Sequence, residues 1–127
     1  MFRILIGIFL ILHGLIHLIG FVVPWQLVKT VEFPYSTLIL ADKVDVGATG
    51  IRLIGLLWLL AAIGYVIAGI GLFISVPWWM GMTLWVTIFS LVLCIIGWPG
   101  SQFGVYIDVV ILGYLLFGGR FGWLPKP

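Results

Sequence analysis

The chain has 127 residues, of which 64% are hydrophobic and only 8% charged. Soluble domains average roughly 45–50% apolar and about a quarter charged residues. Six basic and four acidic side chains cannot cover a water-soluble surface, which excludes a soluble globular domain. Disorder is excluded too, because it needs low hydrophobicity and high charge. The chain reads as an integral, multi-pass membrane protein. Its basic residues are scattered, leaving no cluster for nucleic acid or for an anionic lipid surface.

The apolar runs are continuous and long enough for helices, without the alternation of barrel strands. They predict an all-α fold, with residues 1–127 forming a single transmembrane domain, an up-down-up-down four-helix bundle. The first span covers residues 2–23 and stops at Pro24 and Trp25. Arg3 ahead of an apolar stretch imitates a secretory signal, but no small-x-small cleavage pattern follows, so the span is read as retained. A polar loop over 24–49 comes next. It carries Lys29, Glu32, Asp42, Lys43 and Asp45, half of the charged residues. Gln26–Phe33 and Thr37–Val44, separated by Pro34, Tyr35 and Ser36, predict a short hairpin on the membrane surface.

The second span runs over 50–73 and stops before Pro77, Trp78 and Trp79. The third covers 80–97 and is closed by Trp98, Pro99 and Gly100, and the fourth covers 104–120. Tryptophans at the predicted ends suit the headgroup level, where such rings collect. Four spans put both termini on one side, with Arg3, Arg120 and Lys126 facing Lys29, Lys43 and Arg52 across the membrane. Discounting Arg52, which sits at a helix edge, the positive-inside rule leans toward cytoplasmic termini.

Small residues recur at helical spacing on the first three spans. Thr83, Thr87, Ser90, Cys94 and Gly97 form one stripe. Ala48, Arg52, Gly55, Leu59, Ala62, Val66 and Gly69 form a second, and Arg3, Gly7, Leu10, Gly14 and His17 a third. Such stripes let helices approach closely in lipid, so Gly7, Gly14, Gly55, Ala62, Thr83, Thr87, Ser90 and Cys94 are expected to pack against other helices. Cys94, the single cysteine, excludes an intrachain disulfide, and in an apolar setting it is expected to be inert.

Chemistry, if the chain has any, falls to His13, His17, Arg52 and Asp108. His13 and His17 are one helical turn apart and share a side. Counted along the helices, His17, Arg52 and Asp108 lie within about two turns of one membrane face, with His13 a turn deeper. Ionisable residues inside spans are functional candidates whose partner should be named, and the expected pair is Arg52 with Asp108. The plain alternatives are a snorkelling arginine, a helix-capping aspartate and neutral histidines bonded to backbone.

Several ligand readings stay open. His13, His17 and Asp108 are a two-histidine, one-carboxylate set for a metal, although Arg52 would repel the cation. One histidine can serve as axial ligand to a haem or chlorin. A quinone can bond to Arg52 and a histidine between aromatic walls. A dimeric transporter using Asp108 is another reading, although the first helix lacks the membrane-embedded glutamate of the small multidrug transporters. No HExxH, glycine-rich phosphate loop, CxxC pair or GxSxG elbow is present, so the sequence leans away from an enzyme.

The run from His13 through His17 to Phe21, the run from Arg52 to Ala62, and the run from Phe103 to Asp108 together resemble an uncharacterised group of small four-helix bacterial membrane proteins. These are loosely similar to the DoxX-type proteins. The resemblance covers the first, second and fourth spans and implies a compact four-helix fold with no established activity. With so little mass outside the bilayer, the leading expectation is a non-catalytic structural or accessory subunit. Its partners would be the lipid bilayer and other membrane subunits or a second copy. The alternative is a bundle that binds a ligand or cofactor at the His/Arg/Asp cluster.

Overall fold

The computed structural model describes residues 1–126. Its elements are α1 (Phe2–Ile16), α2 (Ile19–Val22), β1 (Leu38–Ile39), β2 (Val44–Asp45), α3 (Gly47–Phe73), α4 (Trp79–Ile96) and α5 (Gln102–Phe121). Helices α1 and α2 form one continuous span, Phe2–Val22. With α3, α4 and α5 it gives four helices long and apolar enough to cross a membrane. The predicted all-α four-helix fold is the one observed, and the span limits agree to within three residues.

Neighbouring helices pack in chain order, α1 on α3, α3 on α4 and α4 on α5. At one end of the bundle lie both termini and the α3–α4 turn. The Arg3 guanidinium ties them together by donating to the Ser75 hydroxyl and the Lys126 carbonyl. At the other end lie the long loop and the α4–α5 turn. Many large apolar side chains face outward, among them Leu5, Leu12, Leu53, Leu60, Val110 and Leu116. Lipid is as apolar as these side chains, so their exposure carries no penalty there. Association instead comes from close packing and interhelical hydrogen bonds.

The buried faces explain the stripes. Gly7, Leu10, His13 and Gly14 are the buried residues of α1. A methyl added at Gly14 would sit 2.7 Å from Tyr65 Cβ and 3.0 Å from the Ala62 carbonyl oxygen. One added at Gly69 would sit 2.9 Å from the Gly7 carbonyl oxygen. Backbone touches backbone along the α1–α3 seam, a separation only glycine permits. Gly55, Ala62, Thr83, Thr87, Ser90 and Cys94 are buried as expected.

The loop differs from its prediction. The strands are Leu38–Ile39 and Val44–Asp45, antiparallel, with Leu38 opposite Asp45 and Ile39 opposite Val44. Gln26–Phe33 forms no strand. Its β-branched residues have no partner to pair with, because the chain there turns along the bundle end, with Gln26 and Leu27 bonded back to Val23 and Val22. The hairpin tip is unusual. Leu40, Ala41 and Asp42 have φ of 53°, 55° and 62°, a left-handed turn that costs roughly 1–2 kcal/mol per residue without glycine. Two hydrogen bonds hold it, from Leu40 N–H to the Ile96 carbonyl and from Ala41 N–H to the Trp98 carbonyl, both 2.9 Å. These carbonyls lie at and just beyond the α4 C-terminus, where helix carbonyls lack an intrahelical donor. The loop is therefore fastened across the bundle end. At its exit the Gly47 N–H, 2.9 Å from Asp45 and helped by the Thr37 hydroxyl, holds the Asp45 carboxyl below the usual carboxylate range.

Candidate functional site

Buried polar residues from all four spans converge at one point. Asp108 is completely buried on α5, six residues into the helix, or about 9 Å from its start. Its Oδ1 accepts from the Tyr65 hydroxyl at 2.8 Å and bonds His13 Nε2 at 2.9 Å. Its Oδ2 accepts from the Ser90 hydroxyl at 2.6 Å. Ser90 Oγ is also 2.6 Å from His17 Nε2. The Tyr65 hydroxyl lies 3.1 Å from Thr87 Oγ1, whose own hydrogen goes to the Thr83 carbonyl at 2.7 Å. All four spans thus contribute to one network: His13 and His17 from α1 and its exit, Tyr65 from α3, Thr87 and Ser90 from α4, and Asp108 from α5.

His17 also reshapes its own helix. Its Nδ1 donates to the His13 carbonyl at 2.8 Å, the acceptor that its backbone N–H would otherwise use. The backbone N–H turns instead to the Gly14 carbonyl at 3.0 Å, and Leu18, Gly20 and Phe21 likewise bond three residues back. This tightening separates α1 from α2. Short i→i+3 segments within helices often accompany functional positions, and a side chain that competes for a backbone carbonyl is a direct cause of one. Trp58 lies against the His17 ring, with centroids 5.3 Å apart.

Arg52 does not join the cluster. The expected Arg52–Asp108 pair is absent among the described residues, where Asp108 pairs with His13 instead. Neither depth nor angle puts it there: Asp108 bonds Tyr65, thirteen residues beyond Arg52 on α3 and about 20 Å further along the axis. The inward face runs through Ile51, Gly55, Ala62 and Tyr65, which leaves Arg52 exposed on the rim. Its guanidinium sits 5.5 Å from the Trp25 ring centroid, and Trp25 Nε1 donates to the Arg52 carbonyl at 3.0 Å. An exposed cation–π contact is worth ~0.5–1 kcal/mol. Arg52→Ala should therefore cost no more than about 1 kcal/mol in detergent unfolding. Its effect should add to that of Asp108→Ala within ~0.5 kcal/mol, as for uncoupled sites. A larger coupling in the double-mutant cycle would restore the pair.

Tyr65 escaped the sequence reading. Its signal was available: a phenol three residues beyond Ala62 on the inward face, at mid-span. The roles of Ser90 and Thr87 were also hidden, because their spacing marks packing equally well.

A cavity of about 470 Å³ opens above this network at the loop end. His13, His17 and Cys94 lie at its floor, and Ile54, Trp58 and Ile107 contribute to its walls. The loop roofs it through Glu32, Phe33, Leu38, Ile39 and Asp42. Candidate ligand atoms of His13, His17 and Asp108 lie within 4.8 Å of one another. A metal held there would have to displace the bonds that occupy His13 Nε2 and His17 Nε2. His13 Nδ1 alone, among the buried side-chain polar atoms described, has no hydrogen-bond partner. We read the set as a hydrogen-bonded network. No family model matches this sequence, and neither a curated protein nor a solved structure matches it.

Proposed function

We propose that this membrane protein binds a lipid-soluble molecule with a small polar head, of the quinone or quinol type, in the cavity under the loop. The observation that carries this reading is the cavity itself, about 470 Å³, walled mainly by apolar side chains and floored by two buried histidines. Drug-sized ligands occupy clefts of about 300–1,000 Å³ with a few placed polar groups. The His13 and His17 rings at its floor mark where a small polar head would sit. A haem is less well served, since both nitrogens of His17 are engaged. The accessory-subunit reading is favoured by no particular contact, because the apolar outer faces are equally what lipid requires. Termini in the cytoplasm, with the roofed cavity on the outer side, and a DoxX-type kinship resting on the three matching runs complete the proposal.

Trp58 and Trp98 line the cavity, so a short-chain ubiquinone, itself a fluorescence quencher, is a suitable probe. Quenching should saturate in the purified protein and lose that saturation when Ile54→Trp fills the space. Quenching that stays linear in quinone, and equal in both proteins, would defeat the proposal. The roof supplies a second arm. Ala41→Pro deletes the N–H that bonds the Trp98 carbonyl and cannot adopt φ 55°. One lost hydrogen bond of ~0.5–1.5 kcal/mol predicts affinity weakened by about two- to tenfold.

A further inference from the structure

The hydrogen atoms of the network do not suffice for its contacts. The His13 carbonyl can only accept, so His17 Nδ1 carries a hydrogen. A neutral imidazole has a single N–H, which leaves His17 Nε2 as a bare acceptor. Ser90 Oγ stands 2.6 Å from this nitrogen and 2.6 Å from Asp108 Oδ2, and its hydroxyl owns one hydrogen. Donated to the carboxylate, that hydrogen leaves oxygen and nitrogen lone pairs facing each other. Donated to the histidine, it leaves two oxygens in the same position. No neighbour repairs the gap. The hydrogens of His13 and Tyr65 serve Oδ1, and that of Thr87 serves the Thr83 carbonyl. The Cys94 thiol, 3.9 Å from Ser90 Oγ, does not lie between the three atoms.

We infer that His17, Ser90 and Asp108 form a proton-binding site, holding one proton beyond a neutral histidine and an ionised carboxylate. The proton has two homes. On His17 Nε2 it is donated to Ser90, which donates to Asp108. On Asp108 Oδ2 it is donated to Ser90, which donates to His17. Two concerted hops through the serine interconvert these states with every atom conserved and the heavy atoms in place. Both states are neutral overall, which avoids a lone buried carboxylate in a medium where isolated charge is costly.

Among the described residues no arginine or lysine faces the site. The titratable groups facing the site are His13 from α1, Tyr65 from α3, Cys94 from α4 and Asp108 itself from α5, with Glu32 and Asp42 of the loop on the cavity roof. Arg52 is on the outer rim. Beyond Tyr65 the chain of hydroxyls ends at the backbone carbonyl of Thr83, so among the described residues no hydrogen-bonded path leads from the site toward the other end of the bundle. The inference does not depend on what occupies the cavity.

Infrared and ¹⁵N-histidine spectra of the protein in lipid at neutral pH test it directly. The expected result is either a protonated-carboxyl stretch that shifts in D₂O and vanishes in Asp108→Asn, or a doubly protonated His17 ring, at one proton per chain. Ser90→Ala should remove the interconversion and leave a single fixed form. A wild-type spectrum with His17 carrying one N–H and Asp108 fully ionised would overturn the inference, and this arm needs no variant to fold. A stoichiometric metal in the purified protein would also overturn it, because that ion would then supply the missing positive charge.

Discussion

Asp108→Ala is expected to lower the stability of the bundle by about 3 kcal/mol or more, because three buried donors lose one shared acceptor. Three groups lose their acceptor at once: the Tyr65 hydroxyl, the Ser90 hydroxyl and His13 Nε2. Each buried donor left unmade costs ~1–3 kcal/mol, and the residues stranded here belong to α1, α3 and α4. The substitution therefore loosens three interfaces together. No fixed cation is left behind, since Arg52 stands apart, which separates this expectation from one based on a broken arginine–aspartate pair. Reversible unfolding in mixed micelles measures the loss. A cost below about 1 kcal/mol would mean that the three donors find other partners, and the network would then contribute little to holding the helices together.

The architecture was legible because its signals are one-dimensional. Continuous apolar runs, punctuated by Pro24, Pro77 and Pro99 and flanked by tryptophans, state where helices begin and end. Small-residue stripes show which face turns inward, and Gly7, Gly14, Gly55 and Ala62 are all buried. The site was half legible. His13, His17 and Asp108 stand out as ionisable groups in apolar helices, and they do meet. Their partners were hidden, because a serine or threonine at stripe spacing serves packing and hydrogen bonding alike. Arg52 was misplaced for a different reason. Counting from helix starts puts Arg52 level with Asp108, yet Asp108 bonds Tyr65, thirteen residues further along the 27-residue α3. In the Arg52 stripe, Gly55, Ala62 and Gly69 do face inward, but at the loop end of α3 the inward face passes through Ile51 and leaves Ala48 and Arg52 exposed. Nor does any local signal announce the left-handed tip at Leu40–Asp42, which exists because two α4-end carbonyls accept its N–H groups.

Gly14→Ala should be nearly as damaging as the loss of Asp108, although it removes no polar group. Gly14 lies between His13 and His17, where α1 packs closely against α3. Its added methyl would meet Tyr65 Cβ at 2.7 Å and the Ala62 carbonyl oxygen at 3.0 Å. Neither obstacle is the far end of a flexible side chain, so the helices must separate. Overpacking alone costs ~1–3 kcal/mol. Separation also draws His13 away from Asp108 and His17 away from Ser90, so the total is expected to reach about 3 kcal/mol or more. Gly113→Ala on α5 provides the contrast, since its methyl meets nothing within 4 Å. There the gain in helix propensity, up to ~1 kcal/mol, should leave stability unchanged or raised. Unfolding of the two variants side by side in the same micelles tests the seam. Equal and small effects would show that α1 can back away from α3 without disturbing the network, and that the small residues do not set the position of the histidines.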